Sequence, residues 1–205
     1  MNIEVKNSTK SVDYNESMKF LEKRVKAVYE GKKGELLWLL EHKPVYTAGT
    51  SSRNEDLLNK KINLIKTNRG GKITYHGKGQ KIVYFVLNLN KRKKDIRKLV
   101  TNVEKCIIDI LKEYKIESYN DKKNIGIWVG KKNNSKKVAA IGIKVKRWIA
   151  YHGFALNISN DLSKYNNIVP CGIKDKGIIN LKELGIKNHT NLDKLIIKKF
   201  LNIFL

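Results

Sequence analysis

"KVAAIGIKVKRWIAYHGFALNIS", residues 137–159, decides the fold class of this chain. Two runs rich in β-branched and aromatic residues flank a polar turn, and "IGIWVG" (125–130) adds a third upstream. Short apolar runs divided by polar turns predict consecutive antiparallel strands. Working outward, "ELLWLLEH" (35–42) reads as a buried strand. "LIKTNR" (64–69) and "KIVYFVLNL" (81–89) read as strands on either side of the glycine-rich "GGKITYHGKGQ". "KPVYTAGTSS" (43–52) reads as turn, with a short helix near 54–60.

Helical periodicity covers the rest. Over 13–30, Asp13 caps a helix with Glu16 three residues on. Met18, Leu21, Val25 and Val28 keep the 3/4 spacing, and Gly31 ends it. Residues 93–114 give the clearest helix, with Ile96, Leu99, Val100, Val103, Ile107, Ile110 and Leu111 on one face. A long loop is expected over 160–177, then a closing amphipathic helix, "DKLIIKKFLNIFL", after a Thr190/Asn191 cap. The expected class is α+β: a mixed β-sheet flanked by two or three helices. No linker divides residues 1–205, so one domain is expected. "YHG" occurs at 75–77 and 151–153, but the flanks differ and make no repeat.

At 205 residues the chain can bury a full core. No apolar run approaches the length that spans a bilayer, and the first residues lack a secretory stretch, so a cytoplasmic protein without membrane contact is expected. The net charge of +24 attracts anionic partners. Its excess lysine travels with excess Asn and Ile, as an AT-rich genome produces, and the basic residues are scattered apart from "KRKK" (91–94). An acidic protein partner or codon bias explains the charge better than nucleic acid.

Chemistry narrows to a few residues. Cys106, three after Val103 on an apolar helix face, reads as a small hydrophobe. Cys171 stands between Pro170 and Gly172 in a turn. Read alone, it is either a nucleophile, which requires a neighbour that favours thiolate, or a buried structural thiol. His42, His76, His152 and Cys171 lack the close spacing of a metal motif, so neither metal nor cofactor is expected, and His189 reads as a surface residue. "RGGKITYHGKGQ" (69–80) is neither a P-loop nor a dinucleotide loop, but its exposed amides suit an anion or a thioester oxygen; the alternative is a flexible hairpin loop. Ala139, Ala140 and Gly142 leave space beside a strand. Lys137 gains interest only if it lies beside Cys171, where an ammonium stabilises thiolate.

Four segments taken together, "EHKPVYTAG" (41–49), "RGGKITYHGKGQ", "KVAAIGIKVKRWIAYHGFALNIS" and "DLSKYNNIVPCGI" (161–173), resemble the octanoyltransferases of lipoate biosynthesis. The resemblance runs in order from about residue 35 to 173. It implies a fold like the biotin/lipoate protein ligase catalytic domain. It also implies transfer of an octanoyl group from octanoyl-acyl carrier protein to a lysine of lipoyl domains, in the acyltransferase subunits of 2-oxoacid dehydrogenases and the glycine-cleavage H protein. The matching positions give Cys171 as the nucleophile that carries an acyl-thioester and Lys137 as its partner, either a general base or a cation. Arg69, Gly70, Gly71, Lys72, Ile73, Thr74, Tyr75 and His76 match the acyl-substrate pocket. So do Ala140, Ile141 and Gly142, and Gly153, Phe154 and Ala155. A monomer without cofactor is expected. Lys43 and Lys78 replace usual prolines, and Lys78 should loosen the glycine loop. The rivals are an ATP-dependent lipoate or biotin ligase and a basic nucleic-acid-binding module.

Overall fold

The computed structural model describes residues 2–131, 134–169 and 177–205. Its strands are β1 (Ile3–Asn7), β2 (Glu35–Leu40), β3 (Val45–Ala48), β4 (Leu64–Lys66), β5 (Ile73–His76), β6 (Gln80–Asn88), β7 (Ser118–Asn120), β8 (Ile127–Val129), β9 (Lys136–Lys146) and β10 (Ile149–Asn157). The helices are α1 (Tyr14–Tyr29), α2 (Ile96–Glu113) and α3 (Leu192–Phe204). Seven strands form one sheet in the order β1-β2-β6-β10-β9-β8-β7, and β4-β3-β5 form a second. Among the named strands, β1/β2 and β3/β4 pair in parallel and the others antiparallel, so both sheets are mixed. The expected α+β class, a mixed sheet flanked by helices, is what forms.

Alternation along the central strands divides the core into two layers. Leu37, Leu39, Val83, Phe85 and Leu87 pack on one face with Leu99, Val103 and Ile107 of α2 and Phe200 and Phe204 of α3. Leu36, Trp38, Leu40, Ile82, Tyr84 and Val86 pack on the other with Leu21, Val25 and Val28 of α1. Both faces being covered, β2 is buried at all six positions and reads as an unbroken apolar run. Its one charge, Glu35, is 3% exposed and is held by Arg92, whose Nη2 donates to Oε2 at 2.8 Å.

The expected cap at Asp13 forms, and α2 has one of the same kind that its sequence reading did not name. Asp13 Oδ1 accepts from the Glu16 N–H at 3.1 Å, and Asp95 Oδ1 from Lys98 N–H at 2.9 Å. The Thr190/Asn191 cap is not made: Asn191 has no capping side-chain bond, and Thr190 Oγ1 donates to Asn188 instead. The first turn of α3 is anchored by Asp193, which pairs with Lys81 at 2.9 Å. Ile96 does not join the apolar face of α2; it is 46% exposed.

The second sheet departs from expectation. "KPVYTAGTSS" contains β3 rather than turn alone, and the glycine-rich segment contains β5. The helix near 54–60 is a single 3-10 turn, Asn54–Asp56. β1 and β7 carry no sequence signal strong enough to read; the first is held by pairing to β2 and the second to β8.

Candidate active site

The glycine segment lies against β9, where Gly142 leaves the room it needs. A Cβ on Gly142 would sit 3.2 Å from the Gly70 carbonyl oxygen and 3.4 Å from Arg69 Cδ. Arg69, 9% exposed, braces this loop from within. Its Nη2 donates to the Thr47 carbonyl (2.9 Å), Thr47 Oγ1 (2.8 Å) and the Lys72 carbonyl (2.9 Å), and its Nη1 to the Gly70 carbonyl (3.0 Å). A fork of fixed donors thus ties β3 to both ends of the 69–72 turn.

Lys78 does not leave the loop's far end untied. Gly79 N–H donates to Glu41 Oε2 at 3.0 Å, and its carbonyl accepts from Ile158, Ser159 and Asn160 N–H at 3.0, 2.9 and 3.2 Å. Lys43, in the other proline-substituted place, donates its N–H to the Val12 carbonyl at 3.2 Å, a bond proline lacks.

Between this loop, β9, β10 and residues 123–125 lies a cavity of about 740 Å³. Arg69, Gly70, Gly71, Lys72, Ile73, Thr74 and His76 line it, as do Ala140, Ile141, Gly142, Gly153, Phe154, Ala155 and Lys137. One anticipated residue does not. Tyr75 turns to the opposite face of β5, as alternation requires between Thr74 and His76, and packs with Tyr46 and Tyr165 at ring separations of 5.0 and 6.0 Å. Across β9 and β10, Gly142 faces Gly153 and Ala140 faces Ala155, so the cavity wall carries little side-chain bulk.

Three neutral histidines stand close to it. His42 Nδ1–H donates to the Val12 carbonyl at 2.9 Å, so Nε2 accepts from the Tyr84 hydroxyl at 2.8 Å. His76 Nδ1–H donates to Gln80 Oε1 at 2.7 Å, because the Gln80 amide nitrogen is already donating to Asn157 and Tyr165. His152 Nε2 pairs with Asn68 Oδ1 at 2.9 Å. Burial pushes His42 down to about 4 and, aided in both cases by Arg69, pushes His76 and His152 down to about 3. His42 and His76 do converge, with ring centroids 5.7 Å apart. Among the described residues no group of three or more His, Cys, Asp or Glu could hold a metal ion.

Lys137 is 3% exposed, with Nζ 3.0 Å from the Ile125 carbonyl oxygen and 4.7 Å above the Trp128 ring. Cys171 lies outside the described residues. The chain is fixed on both sides of that segment: Val169 N–H donates to Asp56 at 2.8 Å, and the Gly177 carbonyl accepts from Lys137 N–H at 2.9 Å. Cys106 is a core residue, its thiol pushed up to about 12, chiefly by burial. His189 is exposed.

Sequence reading missed Ser51, Ile96, Val100, Lys123, Ile125, Ile143 and Val145 as cavity residues. Ile143 and Val145 stand on β9 beside Gly142, whereas Ser51, Ile96, Val100, Lys123 and Ile125 come from elements outside the glycine loop, β9 and β10. Every charged side chain lining the cavity among the described residues is basic: Arg69, Lys72, Lys123 and Lys137.

The lipoyl protein ligase A/B catalytic domain family matches residues 13–201. An octanoyltransferase of Wolbachia pipientis subsp. Culex pipiens is 43% identical over 199 residues, covering 96% of this chain and 97% of that one. One from Anaplasma phagocytophilum is 44% identical over 207 residues, covering 100% of each. Among solved structures, a bipartite lipoate protein ligase from Thermoplasma acidophilum superposes with a TM-score of 0.75 at 13% identity, covering 98% of this chain and 84% of that one. At that identity the likeness is one of fold.

Proposed function

Because this chain belongs to the lipoyl protein ligase A/B catalytic domain family, and is an acyltransferase of its octanoyltransferase branch, we propose how it works: it moves an octanoyl group from octanoyl-acyl carrier protein to one lysine of a lipoyl domain through a thioester on Cys171. The acceptors are the lipoyl domains of 2-oxoacid dehydrogenases and the glycine-cleavage H protein, and the reaction takes place in the cytoplasm.

One observation carries the reading. A buried lysine, Lys137, sits at a cavity whose wall across Ala140, Gly142, Gly153 and Ala155 is nearly free of side chains. Such a wall suits an unbranched acyl chain, whose burial contributes about 0.8 kcal/mol per methylene. A lysine there provides the positive charge that a thiolate needs. The Gly177 carbonyl, six positions after Cys171 in the sequence, accepts from the Lys137 N–H, which supports pairing the cysteine with that lysine. Exchange between thioesters is nearly isoenergetic, and a covalent intermediate divides the transfer into two comparable steps. The one-signed charge around the cavity, within a chain of net charge +24, favours an acidic donor protein.

Donor preference tests the reading. Purified protein should acylate a lipoyl domain from octanoyl-acyl carrier protein without ATP. Acylation from free octanoate that depends on ATP, with none from the carrier, would instead make it a ligase.

A further inference from the structure

The run "KRKK" (91–94) and the turn between β9 and β10 form one basic surface that the transfer chemistry leaves without a use. Resting on the transfer reading above, we propose that this surface, centred on Trp148, is where the acidic protein carrying the octanoyl thioester docks.

The turn is an unfavourable one to build. Two residues, Arg147 and Trp148, join β9 to β10 between the paired Lys146 and Ile149. Both have positive φ, +50° and +62°. A hairpin turn of this kind ordinarily takes Asn-Gly, and bulky side chains are disfavoured there. The surroundings hold it in place. Leu89 N–H donates to the Trp148 carbonyl at 2.7 Å, Lys94 Nζ lies 5.7 Å from the centre of the Trp148 ring, and the Arg147 guanidinium lies 4.8 Å from that of Tyr29. Backbone strain braced in this way points to function rather than stability. What the turn presents is an indole 38% exposed, whereas Trp38 and Trp128 are buried. Tryptophan and arginine are enriched among the residues that anchor protein interfaces.

Cations surround the indole. Within the lysine run, Arg92 serves the fold by holding Glu35 and the Phe204 carbonyl. Lys91, Lys93, Lys94, Lys146 and Arg147 are exposed and Lys144 is half-buried; none of the six makes an ion pair with a described residue. The neighbouring acids are taken elsewhere. Glu30 pairs with Lys32 at 2.8 Å, Glu22 accepts from Asn68 at 3.3 Å, and Asp95 caps α2. The surface therefore carries a net positive field, which steers an acidic protein toward it and turns a basic one away.

The same surface is continuous with the cavity. Val145, between Lys144 and Lys146, lines it, and so do Ile96 and Val100, which follow the lysine run on α2. Apolar side chains thus join the cations to the cavity, and Ile96 is 46% exposed. A donor has a hydrocarbon chain to pass along such a border, whereas an acceptor brings only an amine. That difference favours the donor as the occupant.

Charge reversal in matched pairs tests the proposal. Lys93→Glu/Lys94→Glu alters the surface. Lys112→Glu/Lys115→Glu makes the same change of net charge at the other end of α2, about 27 Å away by the rise of its 18 residues. For octanoyl-acyl carrier protein, kcat/KM should fall at least about tenfold in the first pair and less than about threefold in the second. Trp148→Ala should lower it about tenfold. A small octanoyl thioester with no protein attached should react with all three variants at the unaltered rate. Acyl carrier protein should also shield Trp148, the exposed tryptophan, from acrylamide quenching. Equal losses in the two pairs would refute the docking surface, and a matching loss with the small thioester would place the effect in the cavity and overturn it. A loss confined to KM for the lipoyl domain would seat the acceptor here instead, and shielding by an oligonucleotide but not by the carrier would make the surface one for nucleic acid; either overturns the proposal. Failure of the transfer reading looks different: the unaltered protein would then take no octanoyl group from the carrier, while quenching would still report whether the carrier docks.

Discussion

Arg69→Lys tests whether Arg69 serves the site as a brace rather than as a ligand for substrate. The guanidinium makes four described hydrogen bonds, to three carbonyls and one hydroxyl, from a position 9% exposed. Hydrogen bonds to a charged donor contribute about 1.5–3 kcal/mol each, and a buried acceptor left unpaired costs about 1–3 kcal/mol. A lysine keeps the charge but has no planar fork, so at least two of these acceptors lose their partner. Allowing for relaxation, the expected loss is about 3 kcal/mol. For a domain of this length that lowers Tm by about 6–12 °C. Thr47→Val removes one acceptor only and should cost about 1–2 kcal/mol, roughly 2–8 °C. Thermal unfolding followed by circular dichroism gives both values, and transfer kinetics at a temperature where each variant is folded give the rest. KM for the octanoyl donor should rise in the order of the Tm losses. A Tm unchanged in Arg69→Lys, with KM alone raised, would refute the brace and make Arg69 a substrate contact.

Protonation of the buried histidines should destabilise the fold in mild acid. His42, His76 and His152 have folded-state values of about 4, 3 and 3, below the unfolded value of about 6.5. The unfolded chain therefore binds more protons between those limits. The stability is complete above about pH 6.5 and is lost as pH falls toward 4, at up to about 1.4 kcal/mol per pH unit for each histidine. Urea unfolding at pH 7.0 and 5.5 measures it, and equal stabilities would contradict the neutral, buried state. Cys106 should stay unreactive toward a thiol reagent at pH 8 in native Cys171→Ala protein and react at once in guanidinium, because burial holds its thiol near 12; rapid native reaction would place it outside the core.

The strands built from β-branched and aromatic residues were legible because their burial and their local propensity agree. β6, β9 and β10 are the main examples, and they supply about half of the residues lining the cavity. β5 was hidden because four glycines flank a four-residue strand whose pairing comes from β3, a partner nearly thirty residues away. Tyr75, which the resemblance assigns to the pocket with its neighbours, faces away from Thr74 and His76 because side chains alternate along the strand. Ile96 failed for a different cause: it is the first residue of α2 and lines the cavity, 46% exposed, rather than joining the core. The site was legible in its glycines and small residues, which leave a mark in the sequence. The contacts of Lys137 with the Ile125 carbonyl and the Trp128 ring were not, because they join residues that only the pairing of β8 with β9 brings together.

Intact-mass analysis after incubation with octanoyl-acyl carrier protein tests the central claim most directly. One octanoyl group should appear on the protein, be released by hydroxylamine, transfer to an added lipoyl domain, and be missing from Cys171→Ala. An octanoyl adduct that persists in Cys171→Ala, or transfer that proceeds at full rate without one, would contradict it.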